Sequence, residues 1–172
     1  MKTLAVMVGL PATGKSTLVE EILQTYKGAH VISTDAYIEK VASTLGKTYD
    51  DLWEFSIKEA TFAMNEQAEA LFKRGEDMIW DQTNLGQGKR RKLINRAKSH
   101  GYHCYCYSVI PAKRGFEREV LEKRLANRPG KTVPAAVIEN MFETYVVPST
   151  DEGFEMVRHF DMHGNTVTTE WK

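Results

Sequence analysis

The sequence lacks several features that would place it in a class at once. Its 172 residues include only two cysteines, and 23 basic residues balance 23 acidic ones. Zero net charge does not favour a protein that coats nucleic acid by bulk electrostatics. No apolar stretch approaches the roughly 20 residues that a membrane helix needs, and the N-terminus has the pattern of a strand rather than of a signal peptide. We therefore expect a cytoplasmic protein, or one of the host cytoplasm if the gene belongs to a phage, with no membrane partner.

The two cysteines, Cys104 and Cys106, are separated by one residue in a predicted strand, so that they share one face of the sheet. A disulfide between them would be badly strained. Zinc binding by His103 with these thiols would need further ligands, and no C-x-x-C is present. We predict that both thiols pack in the core.

Basic residues cluster in two places. One is the run Lys89-Arg90-Arg91-Lys92 with Arg96 and Lys98, which predicts the solvated face of a helix. The other extends from Lys113 to Lys131 and includes Arg124 and Arg128, which are considered below.

A complete phosphate-binding loop stands near the N-terminus. Residues 9 to 17 follow the pattern G-x-x-x-x-G-K-[ST], directly after the apolar run Leu4–Val8. In this motif glycines let several backbone N–H groups point at one phosphate chain, a lysine adds charge, and a hydroxyl can bind magnesium. The helix that follows directs the positive end of its dipole at the same anion. The predicted contacts to a nucleoside triphosphate are Gly9, Pro11, Ala12, Thr13, Gly14, Lys15, Ser16 and Thr17, with Lys15 also catalytic and Ser16 also a magnesium ligand.

Strand and helix patterns alternate along the chain, and the strands are nearly continuous apolar runs. Such alternation predicts a parallel sheet covered by helices on both faces. We expect one α/β domain over residues 1–172, a three-layer sandwich of the P-loop NTPase and kinase type. The predicted parallel strands cover residues 3–8, 30–33, 78–81, 102–110 and 155–160, and a C-terminal hairpin or edge strand covers 166–171. The predicted helices cover about 16–26, 35–44, 51 or 56 to 73, 89–99, 116–127 and 134–146.

Polar residues follow three of the predicted strands. The phosphate loop follows the first, Asp35 follows the second, and Asp81 with Thr83 and Asn84 follows the third. Ligands of parallel sheets bind at the carboxyl ends of the strands, so these groups are expected to converge on one site. We predict that Thr83 and Asn84 contact the substrate that accepts the phosphate.

A phosphate loop alone admits GTPases, ATP-driven machines and small kinases. The chain has no N-K-x-D motif, which GTP-specific proteins use to bind the base. ATP-hydrolysing machines usually place a glutamate after the aspartate that closes the third strand, and here Gln82 follows Asp81. The pattern therefore favours a kinase.

Two aspartates have predicted roles in that chemistry. Asp35 is placed to take the proton of an attacking alcohol as general base, and a simple helix N-cap is the compatible alternative. Asp81 is predicted to help to hold magnesium beside the phosphate loop, with a turn residue at the strand end as the alternative.

Arg124 and Arg128 lie one helical turn apart. They precede Pro129-Gly130, a break that would let residues of about 113–133 act as a mobile lid. We predict that both arginines bind the ATP phosphates and that Arg128 stabilises the transferring phosphoryl group. Two arginines on a solvated helix are the alternative.

Over about residues 3 to 160 the sequence resembles the 5′-hydroxyl polynucleotide kinases. The similar segments are residues 9–17, Ser33-Thr34-Asp35, Asp81-Gln82-Thr83-Asn84, Lys123 to Pro134 and Pro148 to Phe154. The resemblance implies ATP and magnesium as cofactors, Lys15 and Ser16 at the triphosphate, Asp35 as general base, and Arg124 and Arg128 as lid arginines. It also implies that Val133 and Val137 pack against the acceptor nucleotide and that the product serves nucleic acid end repair.

Two features depart from the phage member of that family. Ile38 stands where that member has an arginine that binds a phosphate of the acceptor strand. No D-x-D-x-[TV] acid pair is present, so we expect a kinase without an attached phosphatase.

We therefore expect a kinase that uses ATP, or another nucleoside triphosphate, to phosphorylate 5′-hydroxyl ends of DNA or RNA. A kinase of a small alcohol such as a nucleoside, sugar or antibiotic is the alternative, which zero net charge and Ile38 favour. A nucleotide-binding module without turnover is a more distant alternative, and the intact Asp35, Arg124 and Arg128 count against it.

Overall fold

The structure is a computed structural model that describes residues 1–112 and 115–172, apart from the side chain of Phe116. Lys113 and Arg114, the first residues of the predicted lid, lie outside the described residues. The strands are β1 (Thr3–Val8), β2 (His30–Ile32), β3 (Met78–Trp80), β4 (His103–Val109), β5 (Met156–Phe160) and β6 (Thr166–Trp171). The helices are α1 (Lys15–Thr25), α2 (Thr34–Leu45), α3 (Tyr49–Arg74), α4 (Gln87–Ser99), α5 (Phe116–Ala126) and α6 (Ala135–Thr144), and a 3-10 turn covers Thr150–Glu152.

The described strands form one sheet in the order β2-β3-β1-β4-β5-β6. Neighbouring strands are parallel from β2 to β5, and β6 pairs antiparallel with β5. The predicted α/β fold with a C-terminal edge strand is confirmed. The six residues of β1 are all buried, as expected for a central strand covered on both faces.

Helices cover both faces of the sheet. Residues of α3 and α4 pack on one face with Leu4, Val6 and Val8 of β1. Residues of α1, α5 and α6 pack on the other face with Ala5 and Met7. This alternation follows from the period of two along a strand. The parallel pairing of β1 to β5 brings the carboxyl ends of these strands to one edge of the sheet. None of the described helices is both long and apolar enough to cross a bilayer.

Two helix starts differ from their predicted positions because of their caps. Helix α2 begins at Thr34, and Ser33 is its N-cap, with its hydroxyl accepting a hydrogen bond from the backbone N–H of Ala36. The alternative of Asp35 as the cap is therefore wrong. Helix α3 begins at Tyr49, earlier than predicted, because Thr48 and Asp51 form a reciprocal capping box.

The prediction of a solvated helix face is wrong for Arg90, which lies on α4. Arg90 is fully buried and forms a bidentate ion pair with Glu152, whose side chain is also fully buried. Its remaining nitrogen donates to the carbonyls of Asn84 and Leu85, at 2.9 and 2.7 Å. The neighbouring Arg91 is exposed, as predicted.

Both cysteines are fully buried in the core on the α3 and α4 face of the sheet. Burial raises the pKa of Cys104 to about 11 and raises the pKa of Cys106 further. Both thiols therefore stay protonated at neutral pH, consistent with the predicted role in packing.

Candidate active site

The phosphate loop leaves the carboxyl end of β1 in a turn that depends on glycine. Gly9 has φ of +153°, and a Cβ there would lie 3.2 Å from the hydroxyl oxygen of Thr13 and from the carbonyl oxygen of Val109. The N–H of Gly9 donates to the carbonyl of Thr83, which joins the loop to the segment after β3. Gly9 thus shapes the loop, although the cavity described below is lined from Pro11 onward.

The start of α1 can receive an anion. Its N-cap is Gly14, in a left-handed conformation, so no side chain caps the first N–H groups. The first turn also contains no acidic residue. The unpaired N–H groups and the positive end of the helix dipole therefore remain available for phosphate.

Lys15 stands at the same end of α1. Its ammonium group donates to the carbonyl oxygen of Leu10 at 2.8 Å. Burial lowers its pKa to about 8, although the negative charges of Asp81 and Asp35 act in the opposite direction. A bound phosphate would add a further negative charge, which favours the charged lysine.

One cavity of about 750 Å³ brings the predicted residues together. Its lining includes the loop residues from Pro11 to Thr17, Asp35, Asp81, Thr83, Arg124 and Arg128. These come from the carboxyl ends of β1, β2 and β3 and from the segment around the end of α5. The predicted convergence at the strand ends is therefore seen in the structure.

The carboxylate of Asp35 is held by two donors. The hydroxyl of Tyr49 donates to Oδ1 at 2.8 Å, and the ammonium of Lys131 lies 2.8 Å from Oδ2. Half of the side chain remains exposed. Because Ser33 supplies the cap of α2, the Asp35 carboxylate is free to face the cavity.

Asp81 follows β3 directly and also lines the cavity. Burial raises its pKa, and the positive charge of Lys15 acts against that rise. The half-buried carboxylate of Asp81 and the exposed hydroxyl of Ser16 line the same cavity and offer the oxygen ligands that magnesium prefers. These two residues therefore fit the predicted magnesium site.

The two arginines also line the cavity, Arg124 on α5 and Arg128 after its end. Arg124 donates to the carbonyl oxygen of Met162 at 3.1 Å. One terminal nitrogen of Arg128 is buried and has no hydrogen-bond partner among the described residues. A buried guanidinium donor without a partner is suited to bind an anionic ligand. The donor set thus fits the phosphates of a nucleoside triphosphate.

Three residues predicted to bind substrate do not line this cavity. Asn84 is buried, and its amide donates to the carbonyl oxygen of Met7 at 2.7 Å, which ties the ends of β1 and β3 together. Val133 packs against the core on the α1 side of the sheet. Val137 is 41% exposed on α6. The side chain of Asn84 is therefore used in a hydrogen bond to the main chain, and that of Val133 is used in core packing.

The segment after α5 is attached to the start of α3. The helix ends at Ala126, as the Arg128-Pro129-Gly130 break predicts. Asp50 accepts from the backbone N–H of Thr132 with both carboxylate oxygens, and its own N–H donates to the carbonyl of Gly130. These bonds hold Arg128 and Lys131 next to Asp35.

Sequence reasoning gave no role to Tyr49 and Lys131. Tyr49 lies between two of the predicted helices, and Lys131 is the last member of a basic cluster. Both become recognisable only through their contacts with Asp35, because no local pattern distinguishes them from surface residues.

Replacing Lys15 with alanine is expected to lower kcat/KM for phosphate transfer by about 10²- to 10³-fold, because an oriented cation at the phosphates is lost. The measurement is steady-state transfer of labelled phosphate, with thermal unfolding to confirm the fold. Lys27→Ala is the matched control, since Lys27 is exposed and does not line the cavity. Wild-type rates for Lys15→Ala would contradict the assignment.

The sequence is similar to that of a known kinase. It is 26% identical over 153 residues to the L-seryl-tRNA(Sec) kinase of Methanococcus maripaludis, covering 89% of this chain. The chain spans 56% of the length of that relative.

The fold is shared with solved structures. One belongs to the PezAT toxin-antitoxin system of Streptococcus pneumoniae, with a TM-score of 0.70 and 13% identity, covering 98% of this chain and 72% of the other. A sugar kinase from Janibacter has a TM-score of 0.60 and 18% identity, covering 96% and 88% of the two chains. A family profile described as an AAA domain matches residues 4–148, which is most of the sequence. The chain therefore belongs to the AAA domain family, with the fold of P-loop kinases.

Proposed function

We propose that this chain transfers the γ-phosphate of ATP to the 5′-hydroxyl end of DNA or RNA. One observation carries the proposal: the carboxylate of Asp35, the phosphate loop, Arg124 and Arg128 line the same cavity. A cavity with only a nucleotide-binding role would need no half-exposed carboxylate beside the place of the outer phosphates.

The donor side is built from the loop and the arginines. Lys15, the N–H groups at the start of α1, Arg124 and Arg128 would hold the phosphates, and Ser16 and Asp81 would hold magnesium. When bound, the metal ion supplies positive charge at the phosphate oxygens. The buried free donor of Arg128 is then satisfied by a phosphate oxygen.

The acceptor side supplies the base. The acceptor oxygen forms a bond to the γ-phosphorus, the bond from that phosphorus to the β-phosphate oxygen breaks, and ADP leaves. Asp35 takes the proton of the hydroxyl as the new bond forms. Charge on the transferring oxygens is stabilised by Lys15 and Arg128.

A second cleft favours a polymeric acceptor. It has a volume of about 540 Å³ and shares Glu39, Arg128 and Lys131 with the first cavity. Its lining adds Lys47, so that three basic side chains border the path away from Asp35. A chain whose end lies at Asp35 could continue along this path. The similarity to a seryl-tRNA kinase also supports an acceptor hydroxyl carried on a nucleic acid.

A kinase of a small alcohol is the second candidate. Ile38 is fully buried between α2 and α3, so this position offers no contact to an acceptor phosphate. The net charge of the chain is zero. Both observations are compatible with an acceptor that carries no phosphate of its own.

The test is transfer of labelled γ-phosphate to 5′-hydroxyl oligonucleotides of several lengths, compared with mononucleosides. We expect label at the 5′ ends of oligonucleotides and affinity that falls modestly with salt, as a few phosphate contacts dictate. Label on nucleosides alone would favour the second candidate. ATP binding without transfer to any of these acceptors would contradict the proposal.

A further inference from the structure

We propose that Tyr49 is a positioning residue that fixes the carboxylate of Asp35, with Lys131 holding the same carboxylate from the opposite side. The inference rests on the proposed function, in which Asp35 is the base. It assigns roles to two side chains outside the phosphate loop and the arginine pair.

The phenol of Tyr49 is held rigidly. Its ring stacks on Trp53, with centroids 5.5 Å apart, and the ammonium of Lys131 lies 4.3 Å from the ring centroid on a cation-π contact. Its hydroxyl donates to Oδ1 of Asp35 at 2.8 Å. Burial, followed by the negative charge of Asp35, raises the pKa of Tyr49, so the hydroxyl remains a donor at neutral pH.

Lys131 is equally constrained. Only 12% of its side chain is exposed, and its ammonium contacts Oδ2 of Asp35 at 2.8 Å and Oε1 of Glu39 at 2.6 Å. Its loop is bonded to Asp50, the residue after Tyr49, through Thr132 and Gly130. The start of α3 therefore places both donors of Asp35 at once.

Two donors on opposite oxygens fix the plane of the carboxylate and leave its remaining lone pairs for the acceptor hydroxyl. Other charged groups face this carboxylate from the surrounding elements. They are Lys15 and Asp81 at the strand ends, Glu39 on α2, and Arg128 with Lys131 after α5.

The kinetic effect follows from these contacts. Removing the Tyr49 hydroxyl removes one of the two bonds that orient the carboxylate of Asp35. Loss of orientation lowers kcat by about tenfold. The KM for ATP should stay unchanged, because Tyr49 does not line the cavity that contains the phosphate loop.

The experiment compares Tyr49→Phe with Tyr37→Phe. Tyr37 also lies on the α2 and α3 interface, but its hydroxyl donates to Glu59 at 3.1 Å, so the control deletes a similar hydroxyl away from Asp35. We expect Tyr49→Phe to lower kcat by about tenfold with an unchanged KM for ATP, and Tyr37→Phe to keep both values. Phenylalanine keeps the ring against Trp53 and Lys131, so the fold is retained. A wild-type kcat in Tyr49→Phe would overturn the inference.

A second measurement does not need an acceptor. The carboxyl carbon of Asp35 is observed by NMR in the whole protein at one fixed pH. Its chemical shift should differ from wild type in Tyr49→Phe and also in Lys131→Met, which removes the second donor and its charge. Equal chemical shifts in wild type and both variants would overturn the inference even if Tyr49→Phe were unstable in the kinetic assay.

Different results would contradict the role of Asp35 as base and the positioning role of Tyr49. Full activity of Asp35→Asn would remove the base from the proposed function, whatever Tyr49 does. Loss of activity in Asp35→Asn, together with a wild-type kcat and an unchanged carboxyl chemical shift in Tyr49→Phe, would leave the function in place and overturn only the positioning role.

Discussion

Replacing Asp35 with asparagine is expected to lower kcat for phosphate transfer by about 10²- to 10⁴-fold, the range for loss of a general base. Asparagine keeps the size of the side chain and an oxygen that can accept from Tyr49, but it cannot take the proton of the acceptor. The phosphate loop and the arginines are untouched, so ATP affinity should change by less than about twofold. Nucleotide titration and rapid-quench measurement of transfer separate these two quantities.

The control for this variant is Asp151→Asn, the same chemical change at an exposed position in the 3-10 turn. It should transfer phosphate at the wild-type rate. A loss of ATP affinity in Asp35→Asn as large as its loss of rate would mean that the carboxylate acts in binding. Wild-type kcat would exclude Asp35 as the base.

Replacing Arg90 with alanine is expected to lower the free energy of unfolding by about 3–5 kcal/mol, the range for breaking one partner of a buried ion pair. Arg90 binds both carboxylate oxygens of Glu152 at 2.7 and 2.6 Å, and both side chains are fully excluded from water. The variant would leave a buried carboxylate without its partner. It would also leave the carbonyls of Asn84 and Leu85 without their donor. Urea unfolding measures the effect.

Two further variants separate the ion pair from general damage to α4. Arg91→Ala changes the exposed neighbour in the same basic run and should alter stability by less than about 0.5 kcal/mol. Arg90→Met combined with Glu152→Leu removes both charges and should recover much of the loss. A loss of less than about 1 kcal/mol in Arg90→Ala would show that the carboxylate of Glu152 finds water or another partner.

The fold could be predicted because its signals are local. The run Leu4–Val8 followed by the phosphate loop identifies a buried strand, a turn and a helix start within a short segment, and the structure has all three. Apolar strands that alternate with helices then leave few arrangements besides a parallel sheet. The ends of β1, β2 and β3 carry the loop, Asp35 and Asp81 to one edge for the same reason.

The parts that sequence reasoning missed depend on distant contacts. Arg90 looks like a member of a surface run, and only its pairing with Glu152, 62 positions away, buries it. Tyr49 lies 14 positions from Asp35, but the turn between α2 and α3 is what brings their side chains together. Asn84 has a residue type suited to binding substrate, yet its amide is used by the carbonyl of Met7.

The central claim is that the acceptor alcohol attacks the γ-phosphorus directly while Asp35 takes its proton. The rival role for a carboxylate at this place is that of a nucleophile, which would carry the phosphoryl group itself before passing it on. ATP made chiral at the γ-phosphorus with oxygen isotopes distinguishes the two when a 5′-hydroxyl oligonucleotide is the acceptor. One in-line displacement predicts inversion of configuration in the product. Retention, the result of two displacements, would contradict the account.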